Sequence, residues 1–175
     1  KILSAKRGPL FNADRVVKNI YSSKRLKYLI SKIFKIKNTR NLKNELRNKI
    51  FKNKKNINKL EKIIHPIVRK KMSIFLKRNS KKKAIILDIP LYLENGINKK
   101  NDIIIYVDAN QKLIDKRLKK RSYFNKKLLT KFKKIQLKSN LKKKKSKYKI
   151  VNNFNSLALK KAVNNLKFKI LRIND

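Results

Sequence analysis

Two short, nearly unbroken apolar runs, at residues 84–89 and 103–107, constrain the fold of this chain more than any other feature. Both are rich in isoleucine, which is typical of strands that are covered on both faces in a parallel sheet. Asp88 and Glu94 lie at and after the end of the first run, and Asp108 closes the second. Open α/β sheets bind their ligands outside the carboxyl ends of the strands. The two runs therefore indicate an α/β enzyme with its chemistry near these acidic positions.

The rest of the sequence predicts helices and strands in alternation, as in a doubly wound sheet. Further strands are predicted at about 10–13 and 149–151. Helices are predicted over 15–21, 44–51, 56–72, 111–120 and 157–171, with one or two very basic helices within 125–147 and the end of a helix at 1–7. Asn56 is expected to cap the third of these helices, in which Pro66 predicts a kink or a break. Residues 22–41 are basic and only loosely patterned.

The charge of the chain is extreme, with 53 lysines and arginines against 9 acidic residues and a formal net charge of +44. Such a balance is typical of nucleic-acid binders. However, 43 of the basic residues are lysines and only 10 are arginines, although arginine reads phosphates and base edges better. The charge is also spread over the whole length, and lysine, asparagine and isoleucine are abundant together, as an A+T-rich coding sequence produces. We therefore expect nucleic acid to bind only non-specifically, through a positive field that also attracts anionic metabolites.

Several compositional limits narrow the possibilities further. The chain has no cysteine, which excludes disulfides and thiolate metal sites, and His65 is its one histidine. No apolar run approaches the roughly 18 residues that span a bilayer, and no signal peptide is visible, so we expect a cytoplasmic protein without a membrane partner. The length of 175 residues fits one domain. Because the chain begins with Lys1, we expect it to be a fragment.

A series of short strings follows one another along nearly the whole chain, from about residue 5 to 165. They are FNADR at 11–15, LRNKIF at 46–51, LEKIIHPIVR at 60–69, DIPLYLE at 88–94, VD at 107–108, RLKKR at 117–121, KIQ at 134–136 and IVNN at 150–153. Each string alone has little specificity. In this order and at these spacings, they resemble the dephospho-coenzyme A kinase family.

The resemblance implies an enzyme that transfers the γ-phosphoryl group of ATP, with Mg²⁺, to the ribose 3′-hydroxyl of dephospho-CoA in the last step of coenzyme A biosynthesis. It also implies an α/β, P-loop NTPase-like three-layer fold with a parallel sheet and a helical lid. We expect a single kinase domain over 1–175, with an acceptor-binding helical region at about 20–80 and the lid at about 116–147.

One part of the family pattern is missing from the sequence. The family's phosphate-binding loop, Gly-x-x-Gly-x-Gly-Lys-Ser/Thr, would lie about fifteen residues before Asp14. Nothing of that form occurs here, where Gly8 and Gly96 are the two glycines. We therefore expect a truncation that removes the loop together with the first, central strand, and we expect the chain as given to be inactive.

The resemblance assigns catalytic roles to three residues. Asp14 matches the second acid of the family's Asp-Ala-Asp string and would orient the acceptor hydroxyl or accept its proton, with a helix N-cap as the alternative. Asn12 replaces the first acid and cannot act as a base, so it is structural or forms hydrogen bonds. Arg117 and Arg121 lie one helical turn apart and would neutralise the transferred phosphoryl group from the lid. A solvated basic face is their alternative.

Substrate-binding roles fall on two further pairs. His65 and Arg69 are one helical turn apart, so both can point at the same substrate phosphate. The alternative for His65 is a structural role at the Pro66 kink. Leu91 and Glu94 are expected to shape the wall of the acceptor pocket.

The remaining implied positions concern the metal and the adenine base. Asp88 lies where an acid linked to Mg²⁺ could lie, although the family often has an uncharged residue there. Asn152 resembles the residue near the adenine of ATP, with Asn153 as the competing register.

Two other functions stay open from the sequence. A basic RNA- or ribosome-binding protein predicts aromatic side chains stacked on an exposed sheet face, whereas the tyrosines and phenylalanines here are scattered at core-like positions. Another nucleotide or nucleoside kinase of the same fold would differ only in its acceptor.

Overall fold

The computed structural model describes residues 8–53, 55–120, 129–130 and 134–172. These residues belong to two compact units, which we call the first unit (Pro9–Pro90) and the second unit (from Leu91 onward). The strands are β1 (Leu10–Asn12), β2 (Ile86–Asp88), β3 (Ile105–Asp108) and β4 (Tyr148–Val151). The helices are α1 (Ala13–Ser22), α2 (Lys24–Phe34), α3 (Leu42–Lys52), α4 (Lys55–Arg78), α5 (Gln111–Lys119), α6 (Ser139–Lys144) and α7 (Ser156–Arg172), with a short 3-10 helix at Thr39–Asn41.

In the first unit, β1 and β2 pair in parallel, so that Leu10 lies opposite Ile86 and Asn12 opposite Asp88. Phe11, at the centre of β1, is buried, and its ring lies 5.5 Å from that of Phe75 in α4. The chain turns directly from β1 into α1. This places the first turn of a helix at the carboxyl end of the strand pair.

Helices α1 to α4 form the hydrophobic core of the first unit. Ile30 is completely buried at its centre. The other buried members are Ile20, Leu26, Phe34, Ile36, Leu42, Leu46 and Ile64. Three of these residues, at positions 26, 30 and 34, recur every four residues and form the buried face of α2. The loosely patterned stretch at 22–41 therefore contains a full helix that the sequence analysis did not predict.

The long helix α4 differs from its prediction in two respects. It runs from Lys55 to Arg78 without interruption, so of the kink or break predicted at Pro66 the break is wrong and the kink stays a prediction. Pro66 is exposed, where water can hydrate the carbonyl that the missing N–H leaves unbonded. The predicted cap is also wrong, because Asn53 Oδ1 accepts the Lys55 N–H at 2.9 Å. Asn56 lies inside the helix and donates from Nδ2 to the Lys49 carbonyl at 2.9 Å, which ties α4 to α3.

In the second unit, β3 and β4 pair in parallel from Ile105 opposite Tyr148 to Asp108 opposite Val151. Helix α7 packs on this pair through a core of Ile150, Val163 and Leu166. Val107, on the same face as Ile150, and Val151, on the opposite face, are 57% and 60% exposed. The expectation that the strands are covered on both faces is therefore wrong at this end of the pair, while the parallel pairing is confirmed.

The α/β class and the parallel arrangement of strands are confirmed. The described strands form two separate two-stranded sheets. The absent first strand and phosphate-binding loop remain a prediction, and the helix expected at 1–7 lies outside the described residues. Of the predicted lid, residues 116–120, 129–130 and 134–147 are described, and α6 lies within it. Among the described helices, none combines the length and apolar character that a bilayer crossing requires.

Candidate active site

The carboxyl end of the β1–β2 pair carries two acidic side chains. Asp88 is the last residue of β2, and Asp14 is the second residue of α1. Both are exposed. The two acids that the sequence predicted at this edge of the sheet therefore both lie in the first unit, at or next to a strand end.

Asn12 caps α1, because its Oδ1 accepts the Arg15 N–H at 2.7 Å. The alternative in which Asp14 caps the helix is therefore wrong, and the Asp14 carboxylate does not cap α1. The same Asn12 side chain donates from Nδ2 to Asp88 Oδ2 at 2.6 Å. The structural or hydrogen-bonding role expected for Asn12 is thus confirmed, and the bond joins two residues that lie opposite each other in the strand register.

His65 and Arg69 lie one turn apart on α4, within the same unit. His65 is half-buried and Arg69 is exposed. Side chains four residues apart share a helix face, so the arrangement allows both to contact one ligand. Packing of Val16 and Val17 of α1 against the shared helical core holds α4 in place.

The turn at the start of the second unit contains the other pair of predicted substrate-binding residues. Leu91 has a φ of +56°, in the left-handed region that a branched aliphatic residue rarely adopts. Its carbonyl accepts the Asn95 N–H at 2.9 Å, and Gly96 donates to the Leu93 carbonyl at 3.2 Å. Strained residues of this kind occur often at ligand sites, which makes the turn a reasonable candidate for one.

Glu94 in the same turn contacts protein groups that the sequence analysis did not connect with it. Its Oε1 accepts the Leu137 N–H at 3.1 Å and lies 2.7 Å from Lys142 Nζ. The side chain is only 8% exposed. Burial alone would raise the pKa of Glu94, but the hydrogen bonds from Lys142 and from backbone amides outweigh it and lower the pKa. Glu94 therefore anchors the segment before and within α6 to the turn.

Tyr92 and Asp102 close the loop that follows. The Tyr92 hydroxyl donates to Asp102 Oδ2 at 2.7 Å, and the Lys99 N–H donates to the same oxygen at 2.6 Å. Burial, followed by the interaction with Asp102, raises the pKa of the Tyr92 hydroxyl well above its ordinary value. The hydrogen bond from Tyr92 to Asp102 therefore also ties the turn that carries Leu91 and Glu94 to the loop after it.

Asn152 organises the loop that follows β4. Its N–H donates to the Asp108 carbonyl at 2.7 Å, and its Oδ1 accepts the Phe154 N–H at 3.0 Å. Asn153 Oδ1 in turn accepts the Asn155 N–H at 3.1 Å. Asn152 is half-buried, whereas Asn153 is exposed. The side-chain oxygen of Asn152, Oδ1, is hydrogen-bonded within the loop. Its side-chain NH₂ is therefore the group that can reach a ligand.

Arg117, on α5, lies against that loop. Its guanidinium Cζ is 4.7 Å from the ring centroid of Phe154, a cation–π geometry. Phe154 itself has a φ of +64° and is held by the hydrogen bond to Asn152. The sequence analysis missed Phe154, although its place two residues after Asn152 could have indicated it. Arg121 lies outside the described residues.

Asp108, which closes the second apolar run, is paired with two lysines. Its Oδ2 lies 3.0 Å from Lys149 Nζ and 3.2 Å from Lys143 Nζ. Hydrogen bonds from Lys149 and Lys143 lower the pKa of Asp108. Lys143 Nζ also lies 5.6 Å from the ring centroid of Tyr106. The Asp108 carboxylate thus neutralises basic side chains of its own unit.

Within the described parts of the chain, no group of three or more histidine and acidic side chains could hold a metal ion by itself. Mg²⁺ does not require such a group, because it commonly binds through one or two carboxylates, substrate phosphates and water. Asp88 fits this mode, because it is exposed. Of its two carboxylate oxygens, Asn12 donates a hydrogen bond to Oδ2.

Parallel strands, of which β2 ends in Asp88 and β3 in Asp108, place this chain among the α/β proteins that bind their ligands at the carboxyl ends of strands. A model of the dephospho-CoA kinase family matches residues 1–158. The chain therefore belongs to the dephospho-CoA kinase family, and it is an ATP-dependent kinase of coenzyme A biosynthesis. This finding confirms the resemblance of the sequence strings and does not favour RNA binding or a different acceptor.

Similar proteins of known name agree with the family. The chain is 34% identical over 161 residues to the dephospho-CoA kinase of Fusobacterium nucleatum, which covers 89% of this chain and 82% of that protein. It is 30% identical over 156 residues to that of Rickettsia bellii, with 89% and 81% covered.

Two solved structures share the fold. TT1252 from Thermus thermophilus has a TM-score of 0.75 at 19% identity, with 96% of this chain and 87% of that chain covered. Dephospho-CoA kinase from Campylobacter jejuni has a TM-score of 0.65 at 20% identity, with 97% and 88% covered. The P-loop kinase-like fold predicted from the sequence is confirmed.

Proposed function

We propose that this kinase transfers the γ-phosphoryl group of ATP to the ribose 3′-hydroxyl of dephospho-CoA with Mg²⁺, and that the carboxylates at the end of the β1–β2 pair serve this transfer. The family match supports the reaction. The observation that carries the site is the 2.6 Å hydrogen bond between Asn12 and Asp88, beside the helix that bears Asp14.

Asp14 is the proposed base. The acceptor oxygen attacks the γ-phosphorus, the bond from that phosphorus to the β,γ-bridging oxygen breaks, and the hydroxyl proton passes to the Asp14 carboxylate. An exposed carboxylate in the first turn of α1 can reach a ligand at the strand ends. The Asn12 cap supports this role, because it frees Asp14 from bonding its own helix.

Asp88 is the proposed protein ligand of Mg²⁺. Its Oδ2 is held by Asn12, which leaves Oδ1 for the ion or for water in the ion's coordination shell. When bound, Mg²⁺ neutralises charge on the phosphate oxygens. A single carboxylate with ATP phosphates and water is an ordinary magnesium site.

Acceptor binding is proposed for the helical region at about 20–80 and for the turn at 91–96. His65 and Arg69 present hydrogen-bond donors from one face of α4, as a phosphate of the acceptor requires. Leu91 contributes an apolar wall. Glu94 acts in this scheme mainly by holding the turn and the segment before α6 together.

Nucleotide binding is proposed for the second unit. Arg117 and Arg121 neutralise the transferred phosphoryl group from the lid at about 116–147. The Asn152 amide NH₂ contacts the adenine base. Both proposals are supported by the loop after β4, in which Asn152 and Phe154 are hydrogen-bonded to each other and Arg117 lies on the Phe154 ring.

The cellular context follows from the same proposal. The chain is a single cytoplasmic kinase domain whose specific partners are ATP and dephospho-CoA. Nucleic acid binds it only through the net charge of +44, without sequence preference.

The test is a coupled ADP-release assay on the full-length protein with ATP, MgCl₂ and dephospho-CoA, in which mass spectrometry identifies the product. We expect coenzyme A to form. We expect Asp14→Asn to lower kcat by about 10²-fold or more, as loss of a general base does. Glu45→Gln is the matched control, because Glu45 also lies in the first turn of a helix. No coenzyme A from the wild-type protein would refute the function, and equal activity of the two variants would refute the role of Asp14.

A further inference from the structure

The Asn12 side chain joins three elements of the first unit. It ends β1, caps α1 through the Arg15 N–H at 2.7 Å, and donates to Asp88 of β2 at 2.6 Å. We infer that Asn12 is a positioning residue for phosphoryl transfer, and that Asn12 and Asp88 act as one hydrogen-bonded pair with a single negative charge. This inference rests on the proposed function, in which Asp88 and Asp14 are the reacting or metal-linked acids.

The cap fixes which way the Asn12 amide points. Because Oδ1 accepts the Arg15 N–H, the NH₂ group faces Asp88, and only an acceptor can stand opposite it. An aspartate at position 12 would cap α1 equally well. It would, however, place two carboxylates at hydrogen-bonding distance, where like charges cannot both stay ionised without cost. The amide is therefore required by Asp88 and not by the helix cap.

One side chain thus sets the places of both acids. The cap fixes the first turn of α1, which carries Asp14, and the second hydrogen bond fixes the Asp88 carboxylate. Loss of Asn12 releases both acids at once, although Asn12 has no part in bond making. A group that orients a metal ligand typically contributes about 10–100-fold to metal affinity or activity.

The pair can also be reversed. In the double variant N12D/D88N the carboxylate at position 12 still caps α1, and the amide at position 88 donates back across the strands. The net charge of the pair is unchanged and moves by about one interstrand spacing, roughly 4.8 Å. The reversed pair should therefore rescue the stability that N12D alone removes.

The first arm of the experiment measures thermal unfolding without nucleotide or metal at pH 7.5 for wild type, N12D, D88N and N12D/D88N. We expect N12D to lower Tm by about 2–4 °C or more, the size of shift that follows loss of one hydrogen bond in a protein of this length. We expect the double variant to regain most of that loss. Asn110→Asp is the matched control, because Asn110 caps α5 through the Lys112 N–H and bonds no carboxylate of the described residues. If the Tm shifts of N12D and D88N simply add in the double variant, Asn12 and Asp88 do not act as a pair.

The second arm measures kcat, KM and the Mg²⁺ concentration dependence of the full-length enzyme. We expect Asn12→Ala and N12D each to lower kcat by about 10–100-fold, and N12D/D88N to stay at least as low as N12D, because it removes the proposed Mg²⁺ ligand. Asn110→Asp should keep wild-type kinetics. Absence of coenzyme A formation by the wild type would refute the proposed function. The thermal unfolding measurements would then decide by themselves whether Asn12 and Asp88 act as a pair. An active wild type whose Asn12 variants keep its kcat would overturn the positioning role.

Discussion

The guanidinium group of Arg117 lies over the ring of Phe154, with Cζ 4.7 Å from the ring centroid. Phe154 adopts a left-handed φ of +64°, and the Asn152 side chain holds its N–H at 3.0 Å. The two residues that the proposal assigns to ATP, Arg117 and Asn152, therefore both contact Phe154, Arg117 at its ring and Asn152 at its backbone N–H. The ring holds the arginine before any ligand arrives.

The first prediction concerns Arg117. In the full-length enzyme, Arg117→Lys should lower kcat by about 10³-fold and change KM for ATP much less, because lysine keeps the charge but loses the planar fork that contacts two phosphoryl oxygens. Lys119→Ala, on the same exposed helix end, should show a small and salt-dependent effect. The coupled ADP-release assay measures both. Equal minor effects would place Arg117 on a solvated face.

The second prediction concerns Phe154. Phe154→Leu keeps an apolar side chain and removes the cation–π contact, which is valued at about 0.5–1 kcal/mol at exposed positions. We expect a several-fold decrease in kcat with little change in Tm. Tyr28→Leu is the control, since Tyr28 is an aromatic residue that is 68% exposed on α2. A decrease in Tm as large as that in activity would indicate that Phe154 is only structural.

The third prediction concerns Glu94. Because its pKa is lowered in the folded state, Glu94 stabilises the protein above the pKa of the unfolded chain, and this stabilisation is lost as pH falls through the lowered folded pKa. Glu94→Gln should lower the free energy of unfolding at pH 7 by about 1–3 kcal/mol, since it leaves Lys142 without its charged partner.

The measurement is urea unfolding between pH 3 and pH 8. The difference between wild type and Glu94→Gln should shrink toward acid pH. Glu61→Gln, at an exposed position of α4, should show no such dependence. A difference that is constant with pH would contradict the role of the Glu94 charge.

The fourth prediction concerns the left-handed residue after α2. Lys35 has a φ of +50°, and the Ile36 N–H returns to the Ser31 carbonyl at 2.8 Å. Glycine is the preferred residue at this position, because side chains cost about 1–2 kcal/mol there. Lys35→Gly should therefore raise Tm by about 1–3 °C after its greater unfolded-state entropy is subtracted. Lys32→Gly, inside the helix, should lower Tm instead. A lower Tm for Lys35→Gly would show that the lysine side chain itself stabilises the turn.

Local patterns in the sequence predicted much of the fold. The helix predicted over 111–120 is present as α5, and Asn110 caps it, with Oδ1 accepting the Lys112 N–H at 2.9 Å. The strand near 149–151 and the closing helix are present as β4 and α7. Helix α2 was missed because Tyr28, Leu29 and Ile33 on its exposed side blur the apolar stripe. Its end was also hidden, since a lysine occupies the place where glycine would have signalled it.

The candidate site was predictable in composition but not in its contacts. The family strings selected Asp14, Asp88, His65 and Arg69, and the structure places all four in the first unit. The partners of Asp88 and Glu94 lie 76 and 43 residues away in sequence. No periodicity or cap rule reports pairs at such separations, because they arise from strand register and from packing.

The contacts of Glu94 also limit how far the composition of this protein can drift. A glutamate codon becomes a lysine codon by one base change, and this chain holds only 9 acidic residues against 53 lysines and arginines. At position 94 the same exchange would place a second ammonium group beside Lys142 in a site that is 8% exposed. The cost of that exchange is electrostatic, because two ammonium groups would then lie together in a site of low exposure.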